Sequence, residues 1–339
     1  MDKSVESYLL GMELGPPQSF ENMTVFGLLS PLNGGPEYIT LREALERGVF
    51  QVTEVSEGGS VPELMVVNKG EVAVLILDGE ELAGAKQNRI LTTTILVAPK
   101  SSTKVPVSCT EHGRWSYVSG EFMDSGNVMA RSMRMLGHRE VNMSLEANKE
   151  FRPDQARVWD SIFLLHKDLG VESRTGAMRD VFTAKGEVLD RYLKSFSPAD
   201  GCKGILAFID GEPAGMDFIS RDQAFKALFP KLIKSYAMEA VQLRERRKAG
   251  RGKGDAGGAL AVPGPDEARG FLKRAAACEE KRYEAVGLGW SYRYSGPAIV
   301  GSALSVDEKI VHMAFFGVAE AEAQGNMAGS NMRRHFRII

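Results

Sequence analysis

The pattern that most constrains this chain is a hydrophobic strand, an acidic turn and a returning strand. It occurs as Leu75-Ile-Leu-Asp-Gly-Glu80 before Ala83-Gly84 and as Ala207-Phe-Ile-Asp-Gly-Glu212 before Ala214-Gly215. A weaker copy is Ala303-Leu-Ser-Val-Asp-Glu308 before Ile310-Val311-His312. Asp-Gly between hydrophobic segments is a strong hairpin signal, because a two-residue turn needs left-handed dihedrals that Gly and Asp adopt at low cost. Turn chemistry alone accounts for the recurrence, so duplication of an ancestral unit is not required. Repeated hairpins favour antiparallel pairing.

Short β-branched or aliphatic segments at 24–29, 51–55, 64–68, 72–77, 90–97 and 105–109 predict strands separated by Gly, Pro and Asn clusters. Val72 to Leu77 is expected to turn at Asp78-Gly79 and return through Leu82 to Lys86. Ile90 to Val97 should pair with Val105 to Cys109. Helical spacing predicts Leu41 to Arg47, capped by Thr40 and stopped by Gly48, then Asp154 to Leu169 and Lys185 to Phe196. Asp222 to Lys248 follows, restarted or kinked at Pro230, and then Asp266 to Val286. Late strands are expected at 298–304 and 309–316. With no regular βαβ alternation, the predicted fold is α+β: a mainly antiparallel β-sheet meander with hairpins and several helices packed on it. One domain is expected over 1–339, with a flexible Gly-rich loop at 249–265 and a disordered tail at 325–339.

Composition narrows the function classes. Lys plus Arg number 42 against 44 Asp plus Glu, a formal charge of -2, which supplies no field for holding a polyanion. Nucleic acid is therefore a disfavoured partner. Cys109, Cys202 and Cys278 are too few and scattered for a disulfide framework, and no apolar run reaches the ~20 residues of a membrane helix. A cytoplasmic protein without membrane contact is expected. No P-loop, GxGxxG, HExxH or paired CxxC stands in the sequence, so neither a cofactor nor a metal site is predicted.

Two stretches carry unusual chemistry. Asp78-Gly-Glu-Glu-Leu-Ala-Gly-Ala-Lys-Gln-Asn-Arg89 sets Lys86, Gln87, Asn88 and Arg89 between strongly apolar strands, and Cys109-Thr-Glu-His-Gly-Arg-Trp115 lies one strand further on. If the two strands between them pair, both stretches share one sheet edge. Lys86, Arg89 and Arg114 would then meet anionic oxygens, with Gln87 and Asn88 beside them and Trp115 offering a flat face to a ring. Glu81 and Glu111 are the candidate catalytic carboxylates, acting as general base or hydroxyl acceptor, with Glu80 as a further acceptor. Cys109 is a candidate nucleophile if His112 and Arg114 lower its pKa, and otherwise a buried strand-end residue. The competing explanation is structural: Glu81 and Glu111 pair across strands with Lys86 and Arg89, and Trp115 belongs to the core. Arg131, Arg134, His138 and Arg139 form a second basic stretch that either lines the pocket or faces RNA. In Phe229-Pro-Lys-Leu-Ile-Lys-Ser-Tyr-Ala237 a solvated helix face with Tyr236 at the core edge is expected.

These two stretches and the 229–237 segment together resemble the ADP-ribosylglycohydrolase and rhodanese-phosphatase-superfamily associated protein domain, over roughly Gly15 to Phe316. The resemblance implies a largely β-stranded fold and a place near ADP-ribose and NAD-derived metabolism. It carries no catalytic residue over. The function expected is binding, with hydrolytic processing as an extension, of an ADP-ribose-like or other phosphate-bearing nucleoside or sugar. The alternative is a non-enzymatic module contacting a protein partner.

Overall fold

The computed structural model describes residues 1, 3–30, 35–56, 58–148, 150–250 and 262–318. After α1 (Lys3–Leu10) come β1 (Glu13–Phe20), β2 (Met23–Leu29), β3 (Tyr38–Thr40), α2 (Leu41–Glu46), β4 (Phe50–Glu54), β5 (Glu63–Asn68) and β6 (Ala73–Ile76). The chain continues through β7 (Glu80–Gly84), β8 (Arg89–Leu91), β9 (Ile95–Val97), β10 (Ser101–Cys109) and β11 (Phe122–Val128). Four helices follow: α3 (Arg131–Asn148), α4 (Gln155–Leu169), α5 (Met178–Ala184) and α6 (Gly186–Ser195). The last part holds β12 (Cys202–Ile209), β13 (Glu212–Ile219), α7 (Asp222–Lys248), α8 (Pro265–Ala276), β14 (Glu279–Glu284), β15 (Trp290–Ser295), β16 (Ile299–Val306) and β17 (Lys309–Gly317). This is an α+β fold with eight helices among the described residues.

The largest sheet is antiparallel, in the order β1-β2-β12-β13-β17-β16-β15-β14. Both of its faces are covered at the centre, so β12 reads as a continuous apolar run from Gly204 to Ile209. Ile205, Ala207 and Ile209 join a core with α3 to α7, while Leu206 and Phe208 face α1 and α8. A second sheet, β11-β7-β8-β10-β5-β4, curls as a half-barrel. Its inner face buries Val52, Leu64, Val66, Leu82, Leu91, Val105, Val107 and Phe122 with Leu41 and Ala44 of α2. The small sheet β3-β6-β9 contributes Val74, Ile76, Ile95 and Val97 to the same core.

Local chemistry explains most elements. Thr40 caps α2 in a reciprocal box with Glu43, and Asp154 and left-handed Gly170 bound α4. The β12–β13 and β16–β17 hairpins form as expected, with positive φ at Asp210, Gly211, Asp307 and Glu308. The first Asp-Gly pair behaves differently. β6 already has β3 and β9 on its two sides, so Asp78-Gly79 carries the chain from the small sheet into the half-barrel instead of closing a hairpin. Likewise 90–97 divides into β8 and β9, because Thr92, Thr93 and Thr94 bond to Phe151, Arg293 and Asp78. β8 still pairs with β10 as expected.

Helix α7 runs unbroken through Pro230, its flanking residues packed deeply enough to outweigh one missing backbone bond. The predicted 266–286 helix ends at Ala276, and Glu279–Glu284 becomes a charged edge strand on β15, a composition that resists further pairing. Of the expected loop at 249–265, residues 251–261 lie outside the described residues, as does the expected tail at 325–339. No described helix is long and apolar enough to cross a membrane.

Candidate functional site

Pairing of β8 with β10 sets Arg89 opposite Cys109. Beyond the strands the two loops stay joined: Thr110 N donates to Asn88 O (3.0 Å), Ser116 N to Lys86 O (3.3 Å) and Val118 N to Ala85 O (3.1 Å). The two polar stretches therefore do meet at one sheet edge. Much of their polarity is used in holding them together. Arg114 donates to Ala85 O, Ser116 O, Asn88 Oδ1 and, at 2.6 Å, Glu111 Oε2. Glu111 also accepts from Asn88 N and from Thr175 Oγ1, and Gln87 Nε2 donates to Glu111 O. Burial works to raise the Glu111 carboxyl, but the Arg114 and Thr175 hydrogen bonds outweigh it and hold it below the usual range. Gln87, Asn88, Glu111 and Arg114 thus form a staple between loops.

Register separates the remaining groups. Cross-strand partners share a face, so Leu82, Arg89 and Cys109 point into the half-barrel, while Glu81 and Ile90 point away from it. Glu81 is fully buried and accepts from Thr110 Oγ1 at 3.0 Å. Burial raises its carboxyl to about 7, against hydrogen bonds from Ser125 and Thr110. Glu80 accepts from Leu77 N (2.8 Å) and from Lys231 Nζ (2.5 Å); Lys231 also reaches Asp124, which Arg42 supports. The 229–237 segment is accordingly no solvated face, since Lys231 is buried in this ion-pair chain. Cys109 is buried with its thiol pushed up, and His112 packs edge-on against Trp159, so neither is arranged as a nucleophile and base.

Arg89 escapes this saturation, as does Glu81 Oε2 on the other face. Arg89 is 0% exposed; Nη1 donates to Gln87 Oε1 at 2.7 Å, while Nε and Nη2 have no partner. Burial depresses its pKa, with the Cys109 and Glu54 charges pulling the other way. Glu54, across from Leu64 on the inner face, also keeps both carboxylate oxygens buried without a hydrogen bond. The sequence points to Glu54 only as a charged residue two places beyond inward-facing Val52. Above Arg89 lies Trp115, its ring 5.5 Å from the guanidinium carbon and 48% exposed, not a core residue. Lys86 Nζ donates to Gly58 O at 2.6 Å and sits 5.4 Å and 4.9 Å from the Trp115 and Tyr117 rings. Among the described residues no group of three or more His, Cys, Asp or Glu side chains is placed to hold a metal ion.

A second polar cluster sits inside the main core. Arg134 donates to Asp78 and Asp217 at 2.7–3.2 Å. His138 bonds Asp78 (2.9 Å), Tyr236 donates to Asp217 (2.9 Å), and Thr94 links Asp78 to His312. Arg131, Arg134 and His138 are all buried, so the 131–139 stretch presents neither a continuous basic surface nor a pocket lining for the loops above.

The pattern of the ARG and Rhodanese-Phosphatase-superfamily-associated Protein domain matches residues 11–316, which include every strand and both polar stretches but the last residue of β17. No curated protein and no solved structure matches the chain. The chain belongs to the ARG and Rhodanese-Phosphatase-superfamily-associated Protein domain family.

Proposed function

We propose that the protein binds a small anionic ligand at the mouth of the half-barrel, of the phosphate-bearing nucleoside or sugar class to which ADP-ribose belongs. The observation that carries this is the empty Nε–Nη2 edge of Arg89. That edge offers two parallel N–H donors, the fork that matches two oxygens of a phosphate or carboxylate. A buried guanidinium with unfilled donors, its charge offset only through space by Glu54 and Glu111, is costly, and an anion on those donors relieves the cost. Trp115 is the lid: half exposed, it swings from the guanidinium and stacks on the ligand ring. Glu54, facing the same interior, accepts from a ligand hydroxyl. The family's association with ADP-ribosylglycohydrolases favours ADP-ribose within the class.

Hydrolysis is the less supported extension. Glu81 lies on the opposite face of the strand pair from Arg89, and both Glu111 oxygens are engaged. Neither is placed to act on what Arg89 holds. Tyr117 and Val118 are exposed beside Trp115, and this apolar surface favours a protein-contact module as the second reading.

Thermal shift and tryptophan fluorescence with ADP-ribose, AMP and ribose 5-phosphate test the proposal. Saturable stabilisation of the wild type is expected, weakened at least tenfold in Arg89→Met, with fluorescence change lost in Trp115→Ala. Silence across the three ligands, or equal affinity in Arg89→Met, overturns it. ADP-ribose recovered intact after prolonged incubation supports binding alone, whereas cleavage abolished by Glu81→Gln restores the hydrolase.

A further inference from the structure

Arg293 is a second buried guanidinium, on β15 and outside the half-barrel. Its neighbours Tyr292 and Tyr294 face the core under α1 and α8, so Arg293 faces α3 on the other side of the sheet. It is 3% exposed. Nη2 donates to Thr93 Oγ1 at 2.6 Å and the Phe151 ring lies 5.3 Å from the guanidinium carbon, but Nε and Nη1 bond to nothing. Burial pushes its pKa down to about 10, only partly countered by the Asp78 charge.

Arg293 lines a cavity of about 40 Å³ with Asn142, Tyr283 and Ser295. The Asn142 amide donates to Tyr294 O and Ser295 Oγ, and its Oδ1 has no partner. Asn142, Glu146 and Ser295 also line a second hollow of about 300 Å³, whose further walls include Met143, Pro297, Ile299 and Val300. The shared residues make these adjoining parts of one recess: the inner part is ringed by polar and charged side chains, and the outer part adds Met143, Pro297 and Val300 to a mixed polar and apolar lining. Its charged rim is the Glu146–Lys281 pair (2.7 Å) with Glu279 and Arg139.

We propose that this recess is a second ligand site, taking a small carboxylate with an apolar body: the carboxylate at Arg293, the body along Met143, Pro297 and Val300. A water needs about 10–15 Å³ of such space, so the floor holds a group of a few heavy atoms. The outer hollow stands at the lower end of the roughly 300–1,000 Å³ of small-molecule sites. Glu146 and Glu279 at the rim disfavour a phosphate dianion and tolerate a single negative charge.

Calorimetric titration of the full chain with octanoate and benzoate, against acetate and chloride at matched ionic strength, tests the site. Octanoate should bind saturably with one site per chain, and at least tenfold more weakly to Arg293→Met. Met143→Asp, a change at a 49% exposed side chain that leaves the fold intact, should weaken octanoate at least fivefold. Arg89→Met should leave octanoate binding unchanged, which separates this site from the half-barrel mouth. Absence of saturable octanoate binding, equal affinity in Met143→Asp, or loss of affinity in Arg89→Met overturns the proposal. If Arg293→Met does not fold, Met143→Asp decides alone.

Discussion

Deleting the Arg134 charge is the severest single test of how the core is held. Arg134→Met keeps an apolar stem and removes four hydrogen bonds of 2.7–3.2 Å to Asp78 and Asp217. Those carboxylates are 3% and 0% exposed, so water cannot replace the lost donors. His138 and Thr94 still serve Asp78, and Tyr236 still serves Asp217, which makes the loss smaller than the sum of four charged bonds. Removing one partner of a buried pair costs about 3–5 kcal/mol, and two acids lose their guanidinium here, so about 5 kcal/mol is expected. That is a third or more of the ~5–15 kcal/mol by which folded proteins are typically stable. With ~2.1 cal/mol/K of unfolding entropy per residue, a chain of 339 residues loses about 7 °C in Tm. The pH dependence is diagnostic. Burial works to raise Asp217, and the Arg134 charge overrides it and holds the carboxyl at about 2. In the wild type this stabilisation is present above the unfolded value near 4 and is lost as pH falls through about 2. In the variant the two carboxylates rise above their unfolded values, so the deficit is largest at neutral pH and shrinks on acidification. Urea melts of both proteins at pH 7.5 and pH 5 measure this. A deficit below about 1 kcal/mol, or one that grows toward pH 5, refutes the account.

Glu81→Gln should raise stability at alkaline pH. A folded value of about 7 against an unfolded 4.5 means that wild-type stability is full below 4.5 and declines as pH rises to about 7, by about 3 kcal/mol in all. The gap between the urea midpoints of the two proteins should widen from pH 5 to pH 8, in favour of the variant. Thr40→Ala removes the hydroxyl that accepts from Glu43 N, leaving the Thr40 backbone N–H on the Glu43 carboxylate, and should cost about 1 kcal/mol by the same melts. Gly289→Ala should cost at least about 2 kcal/mol, because φ is +90° and the added Cβ meets the Ser305 carbonyl; an unchanged midpoint would contradict the local geometry.

Elements governed by local chemistry are legible in the chain. Thr40 with Glu43, Asp154 with Gly170, and the turns at 210–211 and 307–308 each specify their own geometry within a few residues. What fails is decided by distant partners. Asp78-Gly79 has the composition of a hairpin turn, yet its carboxylate is claimed by Arg134 and His138, 56 and 60 residues away. Residues 279–284 continue a helical pattern on paper, but the open edge of β15 supplies six cross-strand partners and wins. Arg131 to His138 reads as a basic patch because charge is visible and burial is not.

The candidate site divides along the same line. That Lys86 to Arg89 should meet Cys109 to Trp115 followed from pairing two strands, and hydrogen bonds between Asn88 and Thr110 and between Lys86 and Ser116 join them. Which of the gathered groups face one another is a matter of register, and in a strand one residue exchanges the two faces. Glu81 and Leu82 differ by that one step: Leu82 stands opposite Arg89, inside the half-barrel, and Glu81 opposite Ile90, outside it. Glu54 enters the same interior from a strand whose sequence carries no functional mark, because its inward position depends on pairing with Leu64. On the binding reading proposed above, Glu81 behind the sheet has no access to what Arg89 holds, and Glu54, entering the same interior as Arg89, is the acid left to meet a ligand there.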